Sequence, residues 1–136
     1  MILADTSAWV EYDRATGSDV DTRLRQLIAD EGPLAVTEPV VTEVLAGART
    51  ETRERDLRRL LLRFDLHSID PASDFEAAAR IYRRCRRQGV TPRGLTDCLI
   101  AAVAWRRGDT VLASDVDLDR VAGVIGVGMD PASRRG

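Results

Sequence analysis

Apolar positions along the chain alternate between short runs and stripes at helical spacing. Ile2–Ala4 is an apolar run that predicts a short buried strand, and residues 7–12 predict a helix start capped by Thr6 or Ser7. Val20, Leu24, Leu27 and Ile28 sit at i, i+4, i+7 and i+8, an amphipathic helix stopped by Gly32-Pro33. Leu34–Val36 is a second strand, and Thr37 caps the next helix, with Pro39 in its first turn and Gly47 near its end. Leu57, Leu60, Leu61 and Phe64 mark another stripe, followed by a strand at 66–69 that Asp70-Pro71 closes. Phe75, Ala78, Ala79, Tyr82 and Cys85 form a further helical stripe, ended by Gly89. Leu95–Arg107 reads as a helix ended by Gly108, 110–113 as a strand, 118–122 as a short helical turn and 124–127 as a last strand. From about residue 130 the tail is polar and expected to fray. Strands alternating with helices predict an α/β fold: a single domain over 1–136, with a mostly parallel central sheet flanked by helices.

The 136 residues suit one domain with a sizeable core. No apolar run is long enough to span a membrane, and the opening MILADTSAWV lacks the basic flank of a signal peptide, so the expectation is a cytoplasmic protein without a membrane partner. Cys85 and Cys98 form no C-x-x-C and are expected in the core. All 20 basic residues are Arg. Without Lys there is no Walker-A loop, Schiff base or Ser–Lys dyad, and without Lys a phosphoacceptor receiver site is excluded as well. His67 is the only histidine, which excludes a multi-His zinc site, and a strand histidine is expected to be structural. Carboxylates, 22 of them, are the plentiful chemical tool. The net charge of −2 argues only weakly against nucleic acid, because a global sum hides local basic faces.

In parallel sheets, sites form beyond the carboxyl ends of strands. Asp5 directly follows the first strand, where it serves either as a helix cap or in chemistry. Glu43 has Val40, Ala46 and Gly47 at helical spacing, which predicts a place on the small, apolar face. An ionised Glu there is costly unless paired or bound to metal. Glu38 is a weaker candidate, explained by the helix dipole in the first turn. Asp97 lies in LTDCLIAAVA, the most apolar helix, on the face of Ile100, Ala101 and Ala104. The dipole explains part of this, Thr91 or Thr96 is the expected cap, and burial there asks for a positively charged partner. Asp115 follows the 110–113 strand, with Asp117 and Asp119 at spacing two, and one of these caps the 118–122 turn in the simplest reading. DVDLD lacks the glycine and glutamate of a calcium loop.

Two strand-end aspartates, a helix Glu and a helix Asp would converge from four segments on one pocket. Such a group cannot stay ionised without a cation, and oxygen ligands select Mg²⁺ or Mn²⁺, which suits phosphodiester hydrolysis. Ser7, Thr96 and Ser114 stand beside three of the acids, placed either to orient them or as ordinary cap or loop hydroxyls, and for Thr96 the cap is the better reading.

Four blocks then carry a resemblance. MILADTSAW at the start, VTEVLAG at 41–47, LTDCLIAA at 95–102 and VLASDVDLDRVA at 111–122 resemble, in order and spacing, PIN-domain ribonucleases, specifically VapC-type toxins of toxin–antitoxin pairs. In the fourth block Leu118 stands where the family often has Phe. The resemblance implies a Mg²⁺- or Mn²⁺-dependent endoribonuclease whose catalytic, metal-binding acids are Asp5, Glu43, Asp97 and Asp115, with Asp117 as a fifth. It also implies a single-stranded or loop RNA substrate, products with 3′-hydroxyl and 5′-phosphate ends, a homodimer, and a cognate VapB-type antitoxin that occupies the acidic groove. The competing reading is a non-catalytic RNA- or partner-binding module of the same fold, against which the four intact acids argue.

Arg80, Arg83, Arg84 and Arg87 form a basic stripe opposite the apolar stripe of their helix, and Arg86 and Arg93 extend it toward Asp97. The stripe is either a solvated face or a phosphate-binding rim for RNA. Arg53, Arg55, Arg58, Arg59 and Arg63 are interleaved with Glu51, Glu54 and Asp56 and are expected to form i,i+4 pairs. Trp9 and Trp105 are candidates for base stacking, core or interface, and Trp9 with Tyr12 suggests an antitoxin or dimer contact.

Overall fold

A computed structural model of the chain describes residues 1–134. The elements run β1 (Ile2–Ala4), α1 (Thr6–Asp13), α2 (Asp19–Ala29), β2 (Leu34–Val36), α3 (Glu38–Ala46), α4 (Glu51–Leu61), β3 (Asp65–Leu66), α5 (Asp74–Arg87), α6 (Leu95–Arg107), β4 (Thr110–Leu112) and α7 (Val116–Ile125). The four strands form one parallel sheet in the order β3-β2-β1-β4, with Leu3 opposite Ala35 on one side and Val111 on the other. β1 and β2 are buried along their whole length, as strands covered by helices on both faces must be. The chain leaves β1 toward β2 on one side and returns to β4 on the other. The carboxyl ends of β1 and β4 therefore flank a topological switch point.

One core cluster joins the sheet to α1, α2, α3, α4 and α6 through Leu3, Trp9, Leu24, Val40, Leu57, Leu61, Ile100 and Leu112. Trp9 is fully buried, with Tyr12 and Phe64 against its ring, so it contacts neither a base nor a partner. Cys85 and Cys98 are free and buried, and His67 is buried with Nδ1 2.5 Å from Asp109 Oδ2, both in the structural roles expected. α5 and α6 lie side by side, fastened by Arg106 at the end of α6. Its guanidinium donates to both carboxylate oxygens of Asp74 at the start of α5, at 3.0 and 2.8 Å. Gly108 ends α6 at φ 72°, a left-handed conformation that favours glycine.

Several expectations are corrected. The cap of α1 is Asp5, not Thr6 or Ser7, and α6 begins at Gly94 with no side-chain cap from Thr91 or Thr96. The third strand is only Asp65–Leu66, because beyond it the backbone N–H of Ile69 turns to Glu38 Oε1 at 2.8 Å. Of the stripe expected on α5, Ala78 and Cys85 are buried, whereas Phe75 and Ala79 are exposed and Asp74 is buried beside them. The 118–122 turn is part of a ten-residue helix, α7, which absorbs Val124 and Ile125 and leaves no strand at 124–127. Met129 instead makes a single parallel bridge to Val111. The tail is anchored through residue 134: Asp130 is buried and paired with Arg23, and Ser133 Oγ donates to Val111 C=O and accepts from Ala113 N–H. Residues 135 and 136 of the expected frayed tail lie outside the described residues. Among the described residues α4 forms no ion pair within itself; Arg53 reaches across to Asp13.

Candidate active site

The sheet's carboxyl edge opens into a cleft of about 410 Å³ lined by Asp5, Glu43, Asp97 and Asp115, together with Ser7, Glu11, Arg93 and Arg134. The four acids come from β1, α3, α6 and the end of β4, as the switch-point rule places them. β1 and β4 are tied at this edge by Asp5 N–H donating to Leu112 C=O at 2.9 Å.

Asp5 both caps and lines the site. Its Oδ2 accepts from Ser7 N–H at 3.1 Å and Ser7 Oγ at 2.7 Å, which fixes the carboxylate over the start of α1. Ser7 Oγ in turn accepts from Ser114 N–H at 2.9 Å, joining the two strand ends. Burial pushes the Asp5 carboxyl above the ordinary carboxylate range, against the lowering bonds from Ser7 and with a further push from Asp115.

Asp97 is buried in the first turn of α6, and among the described residues its Oδ2 has no hydrogen-bond partner. Its pKa is raised to about 7, by burial first and then by the negative charges of Asp115 and Asp5; Arg93 pulls the other way. The positive partner expected for Asp97 is not in contact with it: Arg93 acts on Asp97 only through its field and pairs instead with Asp115 and Asp117. An orphaned carboxylate oxygen among other carboxylates is a donor set that a hard divalent cation satisfies. Among the described residues the acids do not by themselves close into a three-ligand metal cluster.

Asp115 uses Oδ1 to cap α7, accepting from Asp117 N–H at 2.9 Å and Leu118 N–H at 3.4 Å, while Oδ2 accepts from Arg93 Nη2 at 2.6 Å. Between Asp115 and Asp117, the cleft receives Asp115; Asp117 stands outside the lining, half-buried, 3.8 Å from Arg93 Nη1. Glu43 corrects its sequence reading. It is exposed, because Val40 and Val44 carry the buried stripe of α3, and Glu43 faces the cleft with Oε1 accepting from Thr6 Oγ1 at 2.9 Å. Glu38 points elsewhere, bonded to Ser68 Oγ and Ile69 N–H. Thr96 is exposed and outside the lining, so of the three hydroxyls only Ser7 and Ser114 join the site. Sequence reasoning missed Glu11, which accepts from Ser114 Oγ at 3.3 Å, and Arg134, which the anchored tail delivers. A Glu six residues after the strand-end Asp, on the first helix, is the signal in the sequence for Glu11.

The raised Asp97 pKa carries a stability prediction. Between the unfolded value near about 3.9 and the folded value of about 7, the folded chain holds a proton that the unfolded chain has lost. This contribution therefore falls as pH rises from 4 to 7. In EDTA, Asp97→Asn is expected to melt above wild type at pH 8, with the gap narrowing steadily toward pH 4. Thermal melts across that range check it; a less stable Asn variant at pH 8 contradicts it.

Comparison with known proteins agrees with this geometry. The PIN-domain family model matches residues 2–124. Ribonuclease VapC11 of Mycobacterium tuberculosis is 46% identical over 123 residues, covering 90% of this chain and 92% of that protein. The chain belongs to the PIN-domain family, in its VapC branch. Among solved structures, VapBC2 from Rickettsia felis, bound to a DNA fragment from its promoter, superposes with a TM-score of 0.75 at 15% identity over 98% of this chain and 99% of that one. M. tuberculosis VapC20, described as a sarcin-ricin loop cleaving toxin, gives 0.61 at 19% identity over 87% and 92%. These two likenesses speak to the fold.

Proposed function

We propose that the chain is a metal-dependent endoribonuclease, the toxin of a toxin–antitoxin pair. The observation that carries the reading is the convergence of Asp5, Glu43, Asp97 and Asp115 on one cleft, with a buried Asp97 oxygen left unpartnered among the described residues. The similarity to a VapC ribonuclease supports RNA as the substrate. Asp5, Asp97 and Asp115 would hold Mg²⁺ or Mn²⁺, with Glu43 at the rim and Asp117 behind Arg93. A divalent cation bound there supplies charge stabilisation at the phosphodiester and activation of water. The protein's own part is positional. Ser7 fixes Asp5, Ser114 holds Ser7, and the α7 cap fixes Asp115, so the acids are preorganised.

RNA would approach over basic side chains. Arg80, Arg84 and Arg87 line a second cleft with the exposed Trp105, and Arg83 lies exposed on the same helix. Arg93 stands at the site itself. This gives phosphate contacts and one stacking surface, and no sequence preference follows from it. A VapB-type antitoxin and a second copy of the chain are the proposed protein partners, in keeping with the VapC branch. Exposed Phe75, Leu95 and Trp105 offer apolar contact for them.

The test is cleavage of total RNA with end mapping, comparing wild type and Asp97→Ala in Mg²⁺, Mn²⁺ or EDTA. Metal-dependent cuts with 3′-hydroxyl and 5′-phosphate ends, absent from the variant, are expected. RNA binding without cleavage by a folded, antitoxin-free wild type would support a non-catalytic binding module instead.

A further inference from the structure

Arg93 sits in the loop between α5 and α6, held between buried Pro92 and Gly94. Its side chain is 67% exposed, yet it reaches into the acidic cleft. Both oxygens of Asp115 are thereby engaged. Oδ1 faces inward onto the N–H groups that open α7, and Oδ2, the outward oxygen, takes Arg93 Nη2 at 2.6 Å. Arg93 Nη1 also lies 3.8 Å from Asp117 Oδ2. A cation entering among Asp5, Asp97 and Asp115 needs that outward oxygen, and it would meet a guanidinium of the same sign already on it. Exposed ion pairs are weak enough to be displaced, and Arg93 has the length to swing clear.

Resting on the metal reading above, we propose that Arg93 is an intramolecular competitor of the divalent cation for Asp115. The side chain balances the clustered carboxylates until the cation displaces it, and so sets how much metal the site requires. This is a role toward the metal, separate from contact with RNA.

Direct Mn²⁺ titration of the EDTA-stripped full chain tests it, by calorimetry or by the loss of the free-ion paramagnetic signal. Arg93→Ala and Arg93→Gln are compared with wild type and with Arg134→Ala. Arg134 lines the same cleft, and its contact there is a backbone bond from its N–H to Ala113 C=O, so its removal deletes the same charge without touching Asp115. Both Arg93 variants are expected to bind Mn²⁺ about five- to tenfold more tightly than wild type, with Arg134→Ala within about twofold. Unchanged or weaker binding by folded Arg93 variants overturns the proposal. Equal tightening by Arg134→Ala also overturns it, by reducing the effect to general charge. Mn²⁺ binding by none of the four proteins would instead overturn the metal reading, and the competition would fall with it.

Discussion

Asp5→Asn is expected to lower RNA cleavage by at least about a hundredfold while leaving the fold intact. Partners one shell out from a metal cost about 10–100-fold when removed, so a ligand costs more. Asn is as good a helix cap as Asp, and its side-chain oxygen can still accept from Ser7, so α1 keeps its start. What is lost is the negative charge at the end of β1, in a cleft whose other acids are Glu43, Asp97 and Asp115. The comparison that makes this informative is Glu43→Gln. Glu43 is exposed at the rim, bonded among the described residues only to Thr6, so its loss is expected to cost less than that of Asp5. Cleavage rates at matched Mn²⁺, with circular dichroism to verify folding, check both. A Glu43 effect larger than the Asp5 effect would mean that the cleft's charge centre has been misplaced.

Trp9→Ala is expected to destabilise the protein by about 3–5 kcal/mol. Trp9 is fully buried and packs between Tyr12 and Phe64, joining α1 to the segment that follows α4. Among the described residues its indole N–H has no hydrogen-bond partner, so the truncation removes packing and breaks no polar network there. Because α1 begins at Asp5, loosening it is also expected to weaken the site. Denaturant unfolding of the metal-free protein measures the first effect. A loss under about 1 kcal/mol would mean that the pocket around Trp9 collapses without cost, contrary to dense packing.

The acids were legible because each breaks a local rule. Asp5 follows an apolar strand directly, Asp115 follows one within a few residues, and Asp97 interrupts the most apolar helix. Strand–helix alternation likewise gave the parallel sheet. Glu43 does line the cleft, but for a different local reason than its spacing suggests. Helical spacing put it beside Val40 and Gly47, but the buried stripe runs through Val40 and Val44, and Gly47 is exposed. Local pattern also failed at the C-terminus. Val124, Ile125 and Val127 are β-branched and read as strand, yet packing of α7 against α5 and α6 overrides that preference. The polar tail read as frayed because its partners are distant in sequence: Asp130 finds Arg23, and Ser133 finds the backbone of β4. That same long-range anchoring hid Arg134. Trp9 was ambiguous for a related reason, since helical spacing shows which residues share a face but not what covers it.

On the proposed reading, the acidic cleft holds the divalent cation on which RNA cleavage depends. Crystals grown with Mn²⁺ and measured for anomalous scattering test it most directly. A peak in contact with the carboxylate oxygens of Asp5, Asp97 and Asp115 is expected, and it disappears in Asp97→Ala. A cleft without such a peak at saturating Mn²⁺, in a protein that still cleaves RNA, would contradict it.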